Sequence, residues 1–346
     1  MKLLIGIFIL IFTSLMASLS CTKTYTLSPG SAFTSTPTIT STPTATPTPI
    51  VVSWTLATSS AAPGGREGQS SVTFNNQMWM IAGYTGTFMD DVWSSSDGVN
   101  WNQITAAASF SGRNRHGSAV FNGDMWVVGG VNGTTYYNDV WYSANGSTWT
   151  SATAAAPFSG RSQFGLVVFN NQMWLIGGYS YNSGTGTGYD YGDVWKTSDG
   201  VNWTQVTALA PFSYRHGLTA LVFNNQMWVI SGKAPAGDVN DVWSTPDGVN
   251  WTEVTANAAF SGRDGHTSVV FDNAMWVIGG EYYNSGTWVY DQDVWYSRDG
   301  ANWVQSTASA PFGLLAFHSS VVYNSEMWVI DGQNGTYSLN DIWHAP

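Results

Sequence analysis

The chain has 346 residues, 11 basic against 22 acidic side chains for a net charge of −11, and one Cys. That balance repels phosphate backbones and excludes nucleic acid as an expected partner, while a lone Cys excludes an intramolecular disulfide framework and any multi-thiolate metal site. With 19 Trp, 37 Gly and only 10% charged residues, the composition is that of an ordered, turn-dense chain.

Residues 1–20 read as an address. Lys2 precedes the apolar run from Leu3 to Phe12, and small residues follow at Ser18 and Ser20, the pattern of a secretory signal peptide. The run is shorter than the roughly 20 apolar residues of a membrane span. Cys21 stands at the cleavage point and resembles the lipidated Cys of a bacterial lipobox, although Ser18 occupies the place where that pattern has Leu. The expectation is a lipoprotein of the cell envelope or surface, attached to a membrane only through Cys21. The alternative is cleavage after Ser20 to a secreted protein with a free thiol. Residues 21–50 continue as a linker: the stretch 22–50 holds 11 Thr, 5 Pro and 4 Ser and cannot bury enough apolar surface to fold.

From residue 51 to 346 the chain repeats. An aromatic followed four residues later by Met-Trp recurs as Phe74…Trp79, Phe121…Trp126, Phe169…Trp174, Phe223…Trp228, Phe271…Trp276 and Tyr323…Trp328. A second anchor, Asp-Val-Trp or Asp-Ile-Trp, ends at Trp93, Trp141, Trp195, Trp243, Trp295 and Trp343. A third Trp follows the first five of these at 101, 149, 203, 251 and 303, and Trp54 supplies the sixth from the other end of the repeat region. Each unit reads as four short strands; the second unit predicts strands near 116–121, 125–129, 140–143 and 149–152. Asn-Gly and Asp-Gly pairs make the turns. Six four-stranded sheets predict an all-β, six-bladed β-propeller whose last blade is closed by the N-terminal strand.

These residues resemble the kelch repeat. That repeat has Arg and often His entering the inner strand, a di-glycine ending the second, Asn-Asp-apolar-aromatic in the third and Trp in the fourth. The resemblance spans 51–346 and extends to exported bacterial propellers loosely named after galactose oxidase. It implies the fold and not the copper chemistry, because the cross-linked Cys of that oxidase has no counterpart among residues 51–346. The turn Ser96 to Trp101 is similar to a sialidase Asp-box with one residue fewer, which reads as convergence on a turn.

Between the second and third strands the connection varies, with 7, 8, 14, 8, 12 and 8 residues in successive units. The long ones, 179–192 and 281–292, read as loops carrying a candidate ligand site: Tyr179, Tyr181, Tyr189, Asp190, Tyr191, Glu281, Tyr282, Tyr283, Trp288, Tyr290 and Asp291. Exposed aromatics beside carboxylates suit a glycan or a protein partner; packing of the two loops on each other is the other reading.

Arg66, Arg113, Arg161, Arg215 and Arg263 recur once per unit, with Leu315 breaking the set. They form either an anion-binding ring at the pore entrance or an architectural set bonded to the repeated Asp residues and loop carbonyls, and the gap at Leu315 would mark an asymmetric pocket. His116, His266 and His318 share a position beside the pore and read as hydrogen-bonded lining, not as metal ligands. No catalytic residue, metal or cofactor is assigned. The expected function is a surface-tethered, non-catalytic binding module. The alternatives are a kelch-type carbohydrate enzyme such as a sialic acid mutarotase, or a purely structural envelope protein.

Overall fold

The computed structural model describes residues 50–346, so the expected signal peptide, Cys21 and the linker up to Pro49 lie outside the described residues. Within them the chain forms six four-stranded antiparallel sheets and no helix. Blade 1 consists of Ser70–Phe74, Gln77–Tyr84, Phe88–Ser95 and Asn102–Thr105. Blade 2 follows with Gly117–Phe121, Asp124–Val128, Val140–Ser143 and Thr150–Thr153, close to the strands its sequence predicts. Blades 3, 4 and 5 begin at the inner strands Gly165–Phe169, Thr219–Phe223 and Thr267–Phe271. Blade 6 begins at Ser319–Tyr323. The inner strands touch one another in order, and the last touches the first, which closes a six-bladed β-propeller.

The sixth blade takes its outer strand, Thr55–Thr58, from the start of the described chain, with Thr55 opposite His344 and Leu56 opposite Trp343. Trp54 packs edge-on against Phe312 at 5.2 Å. In the same way Phe110 packs on Trp149 and Phe158 on Trp203. Ahead of the strand, Ile50 donates its backbone N–H to the Tyr296 hydroxyl and Val52 donates to Ser306 Oγ, both on blade 5.

Apart from Trp54, whose buried indole N–H has no partner among the described residues, each Trp of the repeat has a fixed acceptor, which explains the spacing. The Met-Trp indole donates to the carbonyl of the aromatic five residues earlier, as Trp79 does to Phe74 at 2.9 Å. The Asp-Val-Trp indole donates to the Asp two residues back, as Trp93 does to Asp91 at 2.7 Å. The third indole donates to the Gly of the preceding turn, as Trp101 does to Gly98 at 3.1 Å. In that turn Asp97 Oδ2 accepts from the Asn100 side-chain amide and Oδ1 from the N–H groups of Asn100 and Val99, and these bonds hold its carboxyl down at about 2. The Asp-box likeness is thus a self-contained turn. Gly98 (φ +75°) lies flat on Trp328 of blade 6, where a Cβ would come within 2.0 Å of the ring.

The long connections of blades 3 and 5 are not loops. Gln172–Asn182 pairs with Thr187–Thr197, and Ala274–Asn284 with Thr287–Ser297, so each connection is a strand extension ending in a tight tip. Their Tyr, Thr, Val and Trp content favours strands, and Ser285 (φ 49°) with Gly286 (φ 93°) supplies the two-residue turn of blade 5.

Candidate functional site

The recurring arginines are interior parts and do not ring a pore entrance. All five are only 0–2% exposed. Each binds, through Nη1, the Asp two residues before its own blade's third-strand Trp: Arg66 to Asp91, Arg113 to Asp139, Arg161 to Asp193, Arg215 to Asp241 and Arg263 to Asp293. The same Nη1 donates to the backbone carbonyl at the start of the di-glycine, as Arg113 does to Gly129 at 2.8 Å. No face remains for an anion. In blade 6, Leu315 fills the position with apolar packing beside Phe312 and Trp276, so the gap is core and not a pocket. Asp331 replaces the first glycine there. It is 1% exposed with neither carboxylate oxygen hydrogen-bonded, and burial with the nearby Asp341 raises its carboxyl well above the ordinary range.

The two residues after each arginine position turn toward the axis. The first of them pairs with the residue after the di-glycine: Glu67 with Tyr84, Asn114 with Val131, Ser162 with Tyr179, His216 with Lys233, Asp264 with Glu281 and Ala316 with Gln333. The second adopts a left-handed backbone and links to its neighbour by backbone hydrogen bonds: Gly68 N to Phe317 O, Arg115 N to Gly68 O, Gln163 N to Arg115 O, Gly217 N to Gln163 O and Phe317 N to Gly265 O. Gly68, Gly217 and Gly265 suit this conformation. Arg115 (φ 52°), Gln163 (φ 56°) and Phe317 (φ 51°) do not, and non-glycine residues held there store strain of roughly 1–2 kcal/mol each.

Those three strained residues floor a cleft of about 550 Å³ on the axis, whose other lining residues include Tyr179, His216, Lys233, Asp264, Glu281, Trp288, Tyr290 and Gln333. Alternation along the blade 5 hairpin explains which expected residues reach it. Glu281 opposes Tyr290 and Tyr283 opposes Trp288, so these four share one face. Asp291 belongs to the other face and sits on Arg263 Nη2 at 3.4 Å, away from the cleft, with Tyr282 on its side of the ribbon. On the blade 3 hairpin, Tyr179, Tyr181 and Asp190 share one face, while Tyr189 and Tyr191 share the other with Ser180. Asp190 Oδ1 binds His216 Nδ1, and Tyr179 packs on the same imidazole at 4.9 Å. Trp288, 43% exposed, receives Lys233 Nζ over its ring at 4.4 Å, and Arg115 stacks on Phe317 at 3.9 Å.

Charge in the cleft is closely balanced. His216 Nε2 lies 3.9 Å from Asp264, and Arg115 lies 3.8 Å from Glu67. Burial, reinforced by the charges of Glu281 and Asp238, pushes the Asp264 carboxyl up to about 7. Burial also lifts Glu281 to about 7 and, with Glu281 beside it, Tyr290 to about 12. Asn114 Oδ1, Arg115 Nε, Ser162 Oγ, Asp264 Oδ1 and Glu281 Oε2 are buried around this ring without hydrogen-bond partners in the structure. Such orphaned polar atoms at one place, beside carboxyls that exchange protons near neutrality, mark a site able to take a hydroxyl-rich ligand and to move a proton.

Beneath the strained ring the pore is lined by Gln69, His116, Phe164, Leu218, His266 and His318, one per blade. Each histidine bonds through Nε2 to the preceding blade: His116 to Ser70 at 2.7 Å, His266 to Thr219 at 3.0 Å and His318 to Thr267 at 2.7 Å. Burial lowers all three to about 3, so they staple blades as neutral rings.

Arg115, Gln163, His216, Lys233, Asp264, Phe317 and Gln333 were not legible from the variable connections. The signal that finds them is variation within a repeat column: the two positions after a nearly constant Arg read Glu-Gly, Asn-Arg, Ser-Gln, His-Gly, Asp-Gly and Ala-Phe.

A profile of the DUF6242 beta propeller domain matches residues 48–161 and 245–343, together more than half of the chain. Among solved structures, the one titled "Structure of YjhT" is similar at a TM-score of 0.69 and 14% identity, over 83% of this chain and 96% of that one; at this identity it speaks for the fold alone. No curated protein matches the chain. The chain belongs to the DUF6242 beta propeller family.

Proposed function

We propose, for this member of the propeller family, an envelope-anchored, kelch-type module that binds a carbohydrate in the axial cleft of its hairpin face. The observation that carries the reading is the strain at Arg115, Gln163 and Phe317. Three blades solve the same backbone position with glycine, so the other three hold costly side chains that face the cleft and not the core. A volume of about 550 Å³ suits a sugar more than a flat protein epitope. Trp288 and Tyr290 offer ring faces, while Arg115, Lys233, Gln163 and Gln333 offer donors to hydroxyl or carboxylate groups. The anchored placement rests on the signal-like residues 1–20 and on Cys21.

A glycan array probed with the chain and its Trp288→Ala variant tests this. Selective retention that the variant loses supports the cleft, and a blank array from folded protein rejects it in favour of a structural spacer. A second reading, turnover of a sugar acid, is favoured by Asp264 and Glu281 sharing protons near neutral pH beside His216. Anomer exchange followed by NMR, with Asp264→Asn as the comparison, separates turnover from binding.

A further inference from the structure

Hairpin 172–197 has a second face, turned away from the axis. Against blade 2 it encloses a groove of about 430 Å³ whose walls include Tyr136, Asn182, Tyr189 and Tyr191, with Tyr181, which belongs to the opposite face of the ribbon, lining it near the hairpin tip. Among the described residues no Lys, Arg, His, Asp or Glu lines it, in contrast to the axial cleft. From these features we propose that the groove is a separate binding site for uncharged sugar residues, so that one face of the propeller carries two carbohydrate sites of different chemistry.

The groove is built in advance of any ligand. Tyr191 is fixed from behind by the Arg161 guanidinium, 3.8 Å from its ring, and its hydroxyl is held by Ser180 Oγ at 2.8 Å. Tyr136 is fixed edge-on against Tyr179 at 6.1 Å. Gly160 lets the blade 2 segment approach, since a Cβ there would stand 2.2 Å from the Tyr136 carbonyl oxygen. Tyr181 and Tyr189 remain exposed at the rim. A rigid aromatic wall carrying hydroxyls, with an amide and serines beside it, fits a pyranose: its apolar face stacks on a ring, and its hydroxyls find neutral donors and acceptors. Without a fixed charge the groove gives an acidic sugar no advantage, whereas Lys233 and Arg115 in the cleft do.

The test uses the full chain on an array of neutral glucose- and galactose-based tetrasaccharides alongside uronic- and sialic-acid-terminated ones. Four proteins are compared: wild type, Tyr189→Ala, a Tyr181→Ala/Tyr189→Ala double variant, and Lys233→Ala. Intrinsic fluorescence and melting confirm that each is folded. The expected result is at least a tenfold loss of neutral-saccharide binding in the double variant and a smaller loss in Tyr189→Ala, with neutral binding retained by Lys233→Ala. Neutral binding that Lys233→Ala abolishes and the tyrosine variants leave intact overturns the groove as a site. Retention of acidic saccharides only also overturns it while leaving the axial-cleft reading in place. Neutral binding lost in the tyrosine variants, with no acidic or Lys233-dependent binding, supports the groove and rejects the cleft. Capture of a protein that the tyrosine variants release, with no neutral saccharide retained, overturns the sugar assignment.

Discussion

Replacing Arg161 by Leu imitates in blade 3 what Leu315 does in blade 6. In the parent, Arg161 Nη1 and Nη2 grip Asp193, Nη1 also donates to the Gly177 carbonyl at 3.0 Å, and Nε donates to Ser159 O at 3.0 Å. Its side chain is 1% exposed and that of Asp193 11%. The leucine removes the cation and leaves a largely desolvated carboxylate with one remaining partner, the Trp195 indole at 2.7 Å. Breaking a buried pair from one side costs about 3–5 kcal/mol, against about 0–1 kcal/mol for an exposed pair. Adding Asp193→Asn to Arg161→Leu removes the stranded charge, and the double variant recovers at least half of the loss. Equilibrium urea unfolding of the four proteins of this cycle, followed by Trp fluorescence, measures both terms. A single-variant cost below about 1 kcal/mol, or a double variant no more stable than Arg161→Leu, refutes the assignment of these arginines as internal fasteners.

Three further outcomes follow from other positions. Asp331 binds a proton in the folded state at pH values where the unfolded carboxyl has lost it, so its contribution is present at low pH and lost as pH rises toward its folded pKa. Asp331→Asn therefore matches the parent near pH 4 and gains on it by about 1.4 kcal/mol per pH unit above that until the folded carboxyl itself ionises, where the gain levels off; urea midpoints differing by a constant amount at every pH contradict this. Phe317→Gly relieves roughly 1–2 kcal/mol of backbone strain and gives up about 0.5–1 kcal/mol of stacking with Arg115, so its melting temperature stays level or rises while carbohydrate binding falls at least tenfold. A loss above about 2 kcal/mol would make Phe317 a packing residue instead. Gly98→Ala drives a methyl into the Trp328 ring at a left-handed φ and lowers stability by about 3 kcal/mol or more; a melt like the parent's would reject the inter-blade packing described for that turn.

The architecture was written in the Trp spacing because each indole needs one acceptor at one distance along the chain. Phe74 O, Asp91 and Gly98 O serve the three indoles of blade 1, and the register follows from them. Trp54 betrayed the ring closure by its place in the spacing, and it is held by packing on Phe312 and not by an indole acceptor. The cleft was harder to read, because connection length reports where the chain is long and not where it points. Tyr290 and Asp291 are adjacent in sequence yet face opposite sides of one ribbon, which a loop reading cannot separate and strand alternation does. Lys233 and His216 lie on a short connection and an entry segment of ordinary length, so length carried no trace of them. For the arginines, which recur in five of the six units, the sequence leaves an outside anion and the repeated Asp residues as alternatives, and the side-chain path to Asp91 and its counterparts selects the second.

The closing strand also decides how the propeller meets mechanical load. Any pull that enters from the residues before Ile50 reaches the Tyr296 hydroxyl and Ser306 on blade 5 before it reaches the strand Thr55–Thr58 on blade 6. Two neighbouring blades thus share the force, and the indole of Trp54 wedged on Phe312 lies between the two grips. Peeling the ring open requires these side-chain latches to release first, so the seam where the circle is completed is also the place where it is clamped.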